Sequence, residues 1–233
     1  MSAKNIKMAA GCLALNAVLA SVSAQAVDFS LYGQAGLFGL GGGVGVAFND
    51  MVQARVGYGA YSFSFDDVEV DSGDDEGELV FDADLDWGAA TALIDFYPFS
   101  GAFHLTAGLA LNNNSIDLKG KPSGGVYNIN GNDYSADELG SLKGEADWGG
   151  TAPYVGIGWG RNVSKDGHFS FNFDLGVMFT GKPDVSLSAS CSASAPQCAQ
   201  LKDDLAKEEK DAEDELADAD LLPIINFSVG YRF

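Results

Sequence analysis

The chain has 233 residues and carries 33 acidic against 13 basic side chains, a formal net charge of −20 at pH 7. This acidic excess argues against binding to nucleic-acid phosphates and favours cationic partners such as metal ions, basic solutes or basic protein patches. The alternative is that the charge only keeps surface loops soluble.

The first 26 residues have the organisation of an export signal. A positive segment with two lysines precedes a mostly apolar stretch and the small-x-small cleavage motif Ala24-Gln25-Ala26. The apolar stretch falls short of the roughly 20 residues that a spanning helix needs. We therefore expect a cleaved signal peptide over residues 1–26 and one mature domain over residues 27–233.

Alternation of apolar and polar side chains dominates the mature chain, as expected for β-strands. Between His168 and Gly181, six large apolar residues fall on one face and mostly small or polar residues on the other. This length fits a membrane strand of about 9–11 residues, with the apolar face toward lipid. The last strand ends on Tyr231-Arg232-Phe233, and the aromatic residues Tyr231 and Phe233 resemble the signal read by the barrel-assembly machinery.

Eight such segments predict an all-β fold, an eight-stranded antiparallel transmembrane up-and-down β-barrel with long extracellular loops. Turns after the second, fourth and sixth strands are short, whereas the segments 67–79, 116–145 and 187–221 are long. Short periplasmic turns and long outer loops are typical of outer-membrane barrels. The predicted strands are Phe29–Leu37, Gly43–Phe48, Val52–Phe65, Val80–Phe96, Phe103–Asn113, Asp147–Trp159, a seventh from His168 and an eighth from Leu222.

Acidic residues concentrate in these loops and at the strand ends beside them. Asp82, Asp84 and Asp86 fall on one face of the fourth predicted strand, and apolar residues occupy the other face. We expect the three carboxylates to point into the barrel mouth, where they would concentrate cationic solutes or hold a divalent cation. The alternative is a solvated face. The spacing does not fit an EF-hand, because Leu93 stands where the bidentate Glu belongs.

The last long loop has the composition of a helix. Residues 199–219 are rich in Ala, Leu, Lys, Glu and Asp, with leucines on a narrow stripe. We expect a surface helix near or over the barrel mouth; the alternative is a disordered acidic loop. Cys191 and Cys198 are expected to form a disulfide at its start, because exported proteins mature in an oxidising compartment.

The predicted barrel interior contains charged side chains that need partners. We expect Arg55 to pair with Asp95, which strict alternation allows only if a bulge, placed at Gly88, separates Asp95 from Asp86. Asp174 is expected to pair with Arg232 or another interior base. Closed pairs of this kind would plug the lumen, since an eight-stranded barrel is only wide enough for its own side chains.

Nothing in the sequence supports catalysis. His168-Phe169-Ser170 resembles the His-x-Ser pair of outer-membrane lipid A deacylases, but those residues lie at the outer leaflet, and His168 starts a strand beside a periplasmic turn. No nucleophile motif is present. Two cysteines without a nearby histidine make a poor metal site. We expect no enzyme, no cofactor and no dedicated metal site.

The sequence resembles the CarO-type family of eight-stranded outer-membrane proteins. The stretches that carry the resemblance are Ala152–Gly158, Thr180–Leu187 and Val56-Gly57-Tyr58, together with the order of the loops. The resemblance implies an outer-membrane barrel and a role in uptake of basic amino acids and entry of carbapenem antibiotics. The acidic last loop with two cysteines departs from that family.

These observations predict a small barrel of the bacterial outer membrane. The first functional hypothesis is a narrow channel or binding protein for small cationic solutes such as basic amino acids. The alternative is a non-conducting structural or surface-interaction barrel, whose acidic loops bind cations, lipopolysaccharide or proteins. Outer-membrane lipids, lipopolysaccharide and the barrel-assembly machinery are the expected partners, and nucleic acid is not.

Overall fold

A computed structural model describes residues 28–70, 78–192, 194–216 and 220–233. The predicted signal peptide, residues 1–26, lies outside this part of the chain. Neither of the helices described is long and apolar enough to cross a membrane.

The described residues form thirteen strands and two helices. In chain order these are β1 Asp28–Gly36, β2 Leu40–Ala47, β3 Val52–Val70, β4 Glu78–Phe96, β5 Phe103–Asn112, β6 Ser115–Ser123, β7 Val126–Ile129, β8 Asn132–Ser135, α1 Ala136–Leu139, β9 Leu142–Asp147, β10 Gly150–Gly160, β11 Phe169–Phe179, β12 Asp184–Ala189, α2 Ala195–Glu215 and β13 Leu221–Arg232.

Eight strands form a closed antiparallel ring. Its order is β1, β2, β3, β4, β5, β10, β11 and β13, and β13 pairs again with β1. The ring strands follow one another in sequence order, so each of them pairs with the ring strand that comes before it in the chain. The all-β fold and the antiparallel ring of eight strands predicted from the sequence are therefore confirmed. The end that carries the turns 48–51, 97–102 and 161–168 is called the lower rim.

The described parts of the segments predicted as long loops are largely folded, which corrects that expectation. Strands β3 and β4 continue above the ring, and β6, β9 and β12 extend their sheet in the order β4, β6, β9, β12. A separate hairpin, β7 and β8, and both helices complete this upper domain. Polar residues interrupt the apolar pattern here, which is why the strands were not predicted.

The two faces of β4 exchange polarity between the ring and the upper domain. In the ring, Ile94 is 57% exposed on the outside whereas Asp95 is fully buried inside. Above the ring, the outer face carries the three aspartates and the inner face carries apolar residues such as Phe81 and Leu85. A lipid-facing wall thus becomes a water-facing one along a single strand.

The register shows how Asp95 reaches the interior. Strands β3 and β4 pair without interruption from Val52 opposite Phe96 to Phe65 opposite Ala83, and their register shifts only beyond Phe65. The predicted bulge at Gly88 is therefore wrong. Asp95 points inward because Asp86, nine residues earlier and of opposite parity, points outward.

Helix α2 is confirmed where a surface helix was predicted, with slightly different bounds. It packs on β12 and β7 of the upper domain. Leu201 and Leu205, on the stripe predicted from the sequence, are buried in a second apolar cluster with Tyr134 and Leu139. The helix is therefore part of a folded domain, because its apolar side is covered.

Candidate functional site

The lower end of the ring is closed by its own turn. Asn162 and Val163, in the turn between β10 and β11, are each 1% exposed. Ser30 Oγ donates to Asn162 O at 2.8 Å, and Gln53 Nε2 donates to Val163 O at 3.1 Å. The sequence suggested only a short surface turn here, and no local pattern signals that it folds inward.

A layer of buried charges lies above this turn. The two terminal nitrogens of Arg55 each donate to an oxygen of Asp174 at 2.8 Å, a bidentate pair. Arg55 Nε lies 3.1 Å from Asp95 Oδ2, and these side chains are 1% and 0% exposed. Hydrogen-bonded charge pairs are strong where water is excluded, because the surroundings screen them weakly.

His104 completes the charged layer. Its Nε2 lies 3.1 Å from Asp174 Oδ1, and its Nδ1 lies 3.3 Å from Ala102 O. His104 thus lies between two hydrogen-bond acceptors, the Asp174 carboxylate and a backbone carbonyl.

Ligand atoms of Asp95, His104 and Asp174 all lie within 4.8 Å of one another, a spacing that could hold a metal ion. Arg55, however, already contacts both carboxylates. Arg55 therefore occupies the place between the two carboxylates that a metal ion would take, and the group acts as an internal ion cluster.

The structure brings three of the four predicted lumen charges together and leaves out the fourth. Arg55 contacts both Asp95 and Asp174. Arg232 instead donates to Lys165 O at 3.2 Å and lies 3.5 Å from Asp28 at the lower rim. Of the two partners expected for Asp174, Arg232 is wrong, because Asp174 stands opposite Asn226, six residues or about 20 Å from Arg232 along the strand. The other expectation, a different interior base, is confirmed by Arg55.

An apolar layer closes the upper part of the ring. Phe38 packs edge-on against Tyr154 with ring centroids 5.1 Å apart, and both side chains are buried at 1% exposure. Met178 and Ile224 join the same cluster. Phe38 lies in the link between β1 and β2, where the sequence suggested only a bend. The turn, the charged layer and the apolar layer together fill the ring.

The predicted acidic mouth is wrong. Asp82, Asp84 and Asp86 lie on the outer face of the upper sheet, where Lys119 Nζ is 2.8 Å from Asp84 Oδ2 and Lys121 Nζ is 3.4 Å from Asp82 Oδ2. The hydrogen bond from Lys119 lowers the pKa of Asp84. The prediction failed because it assumed that the polar face of β4 points inward. Above the ring, the inner face of this strand is the apolar one.

A buried carboxylate attaches α2 to the β7–β8 hairpin. Asp204 is 2% exposed and accepts from Tyr134 Oη at 2.7 Å and from Asn130 and Asn132 Nδ2 at 2.9 Å each. The hydrogen bond from Tyr134 is the main reason that the pKa of Asp204 is lowered. Burial, helped by the Asp204 carboxylate, raises the pKa of Tyr134 to about 12.

The Cys191–Cys198 disulfide predicted from the sequence is present; the cysteines are seven positions apart in the sequence, with a Cα–Cα distance of 5.8 Å. Cys198 lies in the first turn of α2. The bridge therefore restrains the start of the helix that Asp204 attaches further along. The disulfide and several hydrogen bonds thus join α2 to the rest of the upper domain.

The outside of the ring is an apolar belt. Phe171 is 72% exposed, Phe169 is 69% exposed and Trp159 is 65% exposed, all on the outer faces of β10 and β11. So much exposed aromatic surface is far beyond what a soluble monomer shows, and it suits contact with lipid. Tyr231 and Phe233 lie at the lower rim of the same belt.

Two solved structures with the same architecture are the CarO2 and CarO proteins of Acinetobacter baumannii. CarO2 matches with a TM-score of 0.57 at 22% identity, over 88% of this chain and 98% of that chain. CarO matches with a TM-score of 0.53 at 21% identity, over 88% of this chain and 97% of that chain. This chain has the CarO fold. The resemblance predicted from short glycine-rich stretches is confirmed at the level of the fold.

No protein-family profile matches the sequence, and no curated protein matches it. The shared CarO fold and the apolar belt agree with the outer-membrane location predicted from the sequence, which is thus confirmed. The CarO fold fixes the architecture of the chain, and its function has to be argued from its own residues.

Proposed function

We propose that this chain is a non-conducting outer-membrane barrel whose function resides in the folded, acidic upper domain that it displays outside the cell. The observation that carries the proposal is the buried ion cluster of Arg55, Asp95 and Asp174 across the middle of the ring. The same proposal includes a cleaved signal peptide and an extracellular orientation of the upper domain. It also includes a barrel-assembly signal at Tyr231 and Phe233.

Opening a path for solutes would require the ion cluster to separate. Removing one partner of a buried pair costs about 3–5 kcal/mol, because the remaining charge stays buried without compensation. A path would also have to displace the inward-folded turn at Asn162 and the apolar layer around Tyr154. An eight-stranded barrel has little room for such rearrangement.

The upper domain suits contacts with molecules outside the cell. The outer face of its sheet is exposed and carries ion pairs, and the 21-residue helix α2 adds further acidic residues. Such a surface attracts cations, basic protein patches, or lipopolysaccharide through bridging metal ions. The channel hypothesis for basic solutes has less support, because the three aspartates expected to form its mouth lie on the outer face of the sheet.

Planar-bilayer recordings test the proposal. The mature chain, reconstituted into liposomes and shown by flotation to be inserted, is fused with a bilayer in potassium chloride, with and without arginine or ornithine. We expect no current steps above those of protein-free liposomes. Current steps of uniform size that added arginine or ornithine reduces would overturn the proposal and restore the channel hypothesis.

A further inference from the structure

The upper domain contains a cavity of about 300 Å³ between α2 and the inner face of the sheet. This volume is at the lower end of the range for small-molecule sites, roughly 300–1,000 Å³. The cavity lies well above the filled ring and is separate from the ion cluster. Its apolar lining side chains are Phe81, Leu118, Ile129, Leu142, Leu187 and Leu205.

Two glycines keep the cavity open. A Cβ atom at Gly120 would lie 3.0 Å from the ring of Phe81, and one at Gly144 would lie 3.3 Å from Leu187 Cδ2. Any larger side chain at these positions would extend into the cavity. Leu118, which lines the cavity, is still 38% exposed. The apolar surface is therefore incompletely covered by the protein itself.

Glu208 is the ionisable side chain of α2 that faces the cavity. Lys143 of β9 also lines the cavity, but it stands opposite Lys119 on the outer polar face of the sheet, so its ammonium points away. Glu208 projects from the helix, and its Oε1 accepts the Asn130 amide at 2.7 Å. A carboxylate can accept about four hydrogen bonds, so this contact leaves capacity for a donor in the cavity.

We propose that this cavity binds a small organic amine with an apolar body. The body would fill the apolar space, which has room for about ten non-hydrogen atoms if each takes the roughly 30 Å³ of a water. The ammonium would meet Glu208 and the acidic side of α2. This assignment names a ligand class for the surface domain and so rests on the proposed function, but it requires nothing of the lumen.

Isothermal titration of the folded mature chain in a non-ionic detergent tests the site with three probes. Tryptamine has both the apolar body and the ammonium, indole-3-propionate has the body with a negative charge, and putrescine has positive charge without an apolar body. We expect saturable one-to-one binding of tryptamine, at least about tenfold tighter than that of either other probe. Equal binding of all three, or no saturable binding of tryptamine, overturns the proposal.

Variants assign the binding to this cavity. Gly144→Leu places a side chain in the cavity and should weaken tryptamine binding by tenfold or more. Glu208→Gln, which can still accept from Asn130, should weaken tryptamine about fivefold and leave indole-3-propionate unchanged or tighter. Asp211→Asn removes one charge from an exposed position of the same helix and should change binding less than twofold.

Further controls separate a folding failure from a binding failure. Each variant is first checked for the compact electrophoretic form of a folded barrel and for resistance of α2 to protease. If Gly144→Leu fails this check, Leu118→Trp, which fills the cavity from its exposed side, replaces it. Equal weakening in Glu208→Gln and Asp211→Asn contradicts the site. Conductance together with specific tryptamine binding would contradict the closed barrel and leave the amine site standing.

Discussion

The lower and upper halves of β3 and β4 are continuous strands with the same alternation but opposite chemistry. In the ring, Val56 and Ile94 face outward and Arg55 and Asp95 face inward. Above the ring, polar residues such as Asp84 lie on the outer face of β4 and apolar residues such as Phe81 lie on its inner face. Period two thus determines which residues share a face, whereas the solvent around each half determines which face is apolar.

The ring and the upper domain should respond very differently to the loss of a basic side chain. Arg55→Met leaves Asp95 and Asp174 buried without a counter-charge and should destabilise the ring by about 3–5 kcal/mol. The stability of the ring is measured by urea unfolding in micelles, which is followed by the shift between the folded and unfolded electrophoretic forms. The matched variant Lys119→Met breaks an exposed pair and should leave the midpoint unchanged. Similar midpoints for both variants would show that the ion cluster does not hold the ring.

The upper domain should unfold separately from the ring. Leu201, 1% exposed, is part of the apolar cluster under α2, and Leu201→Ala should cost that domain about 2–5 kcal/mol. Limited proteolysis should then cut within α2 while the ring keeps its folded electrophoretic form. The exposed substitution Ala206→Ser serves as the control. Loss of the folded ring in Leu201→Ala would mean that the two halves fold as one unit.

The disulfide should contribute less than the apolar cluster. Its short loop predicts a stabilisation of about 2 kcal/mol by restriction of the unfolded chain. The Cys191→Ser, Cys198→Ser double variant should therefore lower the midpoint for protease cleavage of α2, without an effect on the ring. An unchanged cleavage midpoint would assign the attachment of α2 to Asp204 and the apolar cluster alone.

Acid should loosen the upper domain through Asp204. Because its pKa is lowered in the folded state, its stabilising effect is complete above the unfolded value of about 3.9 and is lost as the pH falls below it. Wild-type α2 should become protease-sensitive only well below pH 4, measured with an acid protease. In Asp204→Asn the sensitivity should be greater at neutral pH and should change less with acid. A transition above pH 5 would contradict this role.

The sequence was sufficient for the ring because a lipid-facing strand carries a strong period-two signal. The outward-facing residues from Phe169 to Phe179 are all large and apolar, and parity placed Arg55 and Asp174 inside. Asp95 was also expected inside, but by way of a bulge that the structure lacks. The identity of the partners was harder to predict. Arg55 and Asp174 lie 119 positions apart, and only the closure of the ring brings them together.

The upper domain was poorly predicted for a related reason. Its strands β6, β9 and β12 are short and rich in polar residues, and they pair with segments distant in the chain. The orientation of Asp82, Asp84 and Asp86 was assigned on the assumption that polar residues face the interior, which holds only within the membrane. The inward fold of the turn at Asn162 depends on contacts with Ser30, Gln53 and Ser228, none of them local.

Cysteine labelling on one continuous face tests the change of polarity most directly. Cys191 and Cys198 form a disulfide, so single reactive cysteines can be placed at Asp84→Cys and Ser64→Cys above the ring and at Val56→Cys and Ile94→Cys within it. A membrane-impermeant maleimide is then applied to proteoliposomes or intact cells. The account predicts complete labelling at the two upper positions and protection by lipid at the two lower ones. Equal labelling at all four positions, or protection at Asp84→Cys with labelling at Ile94→Cys, would contradict it.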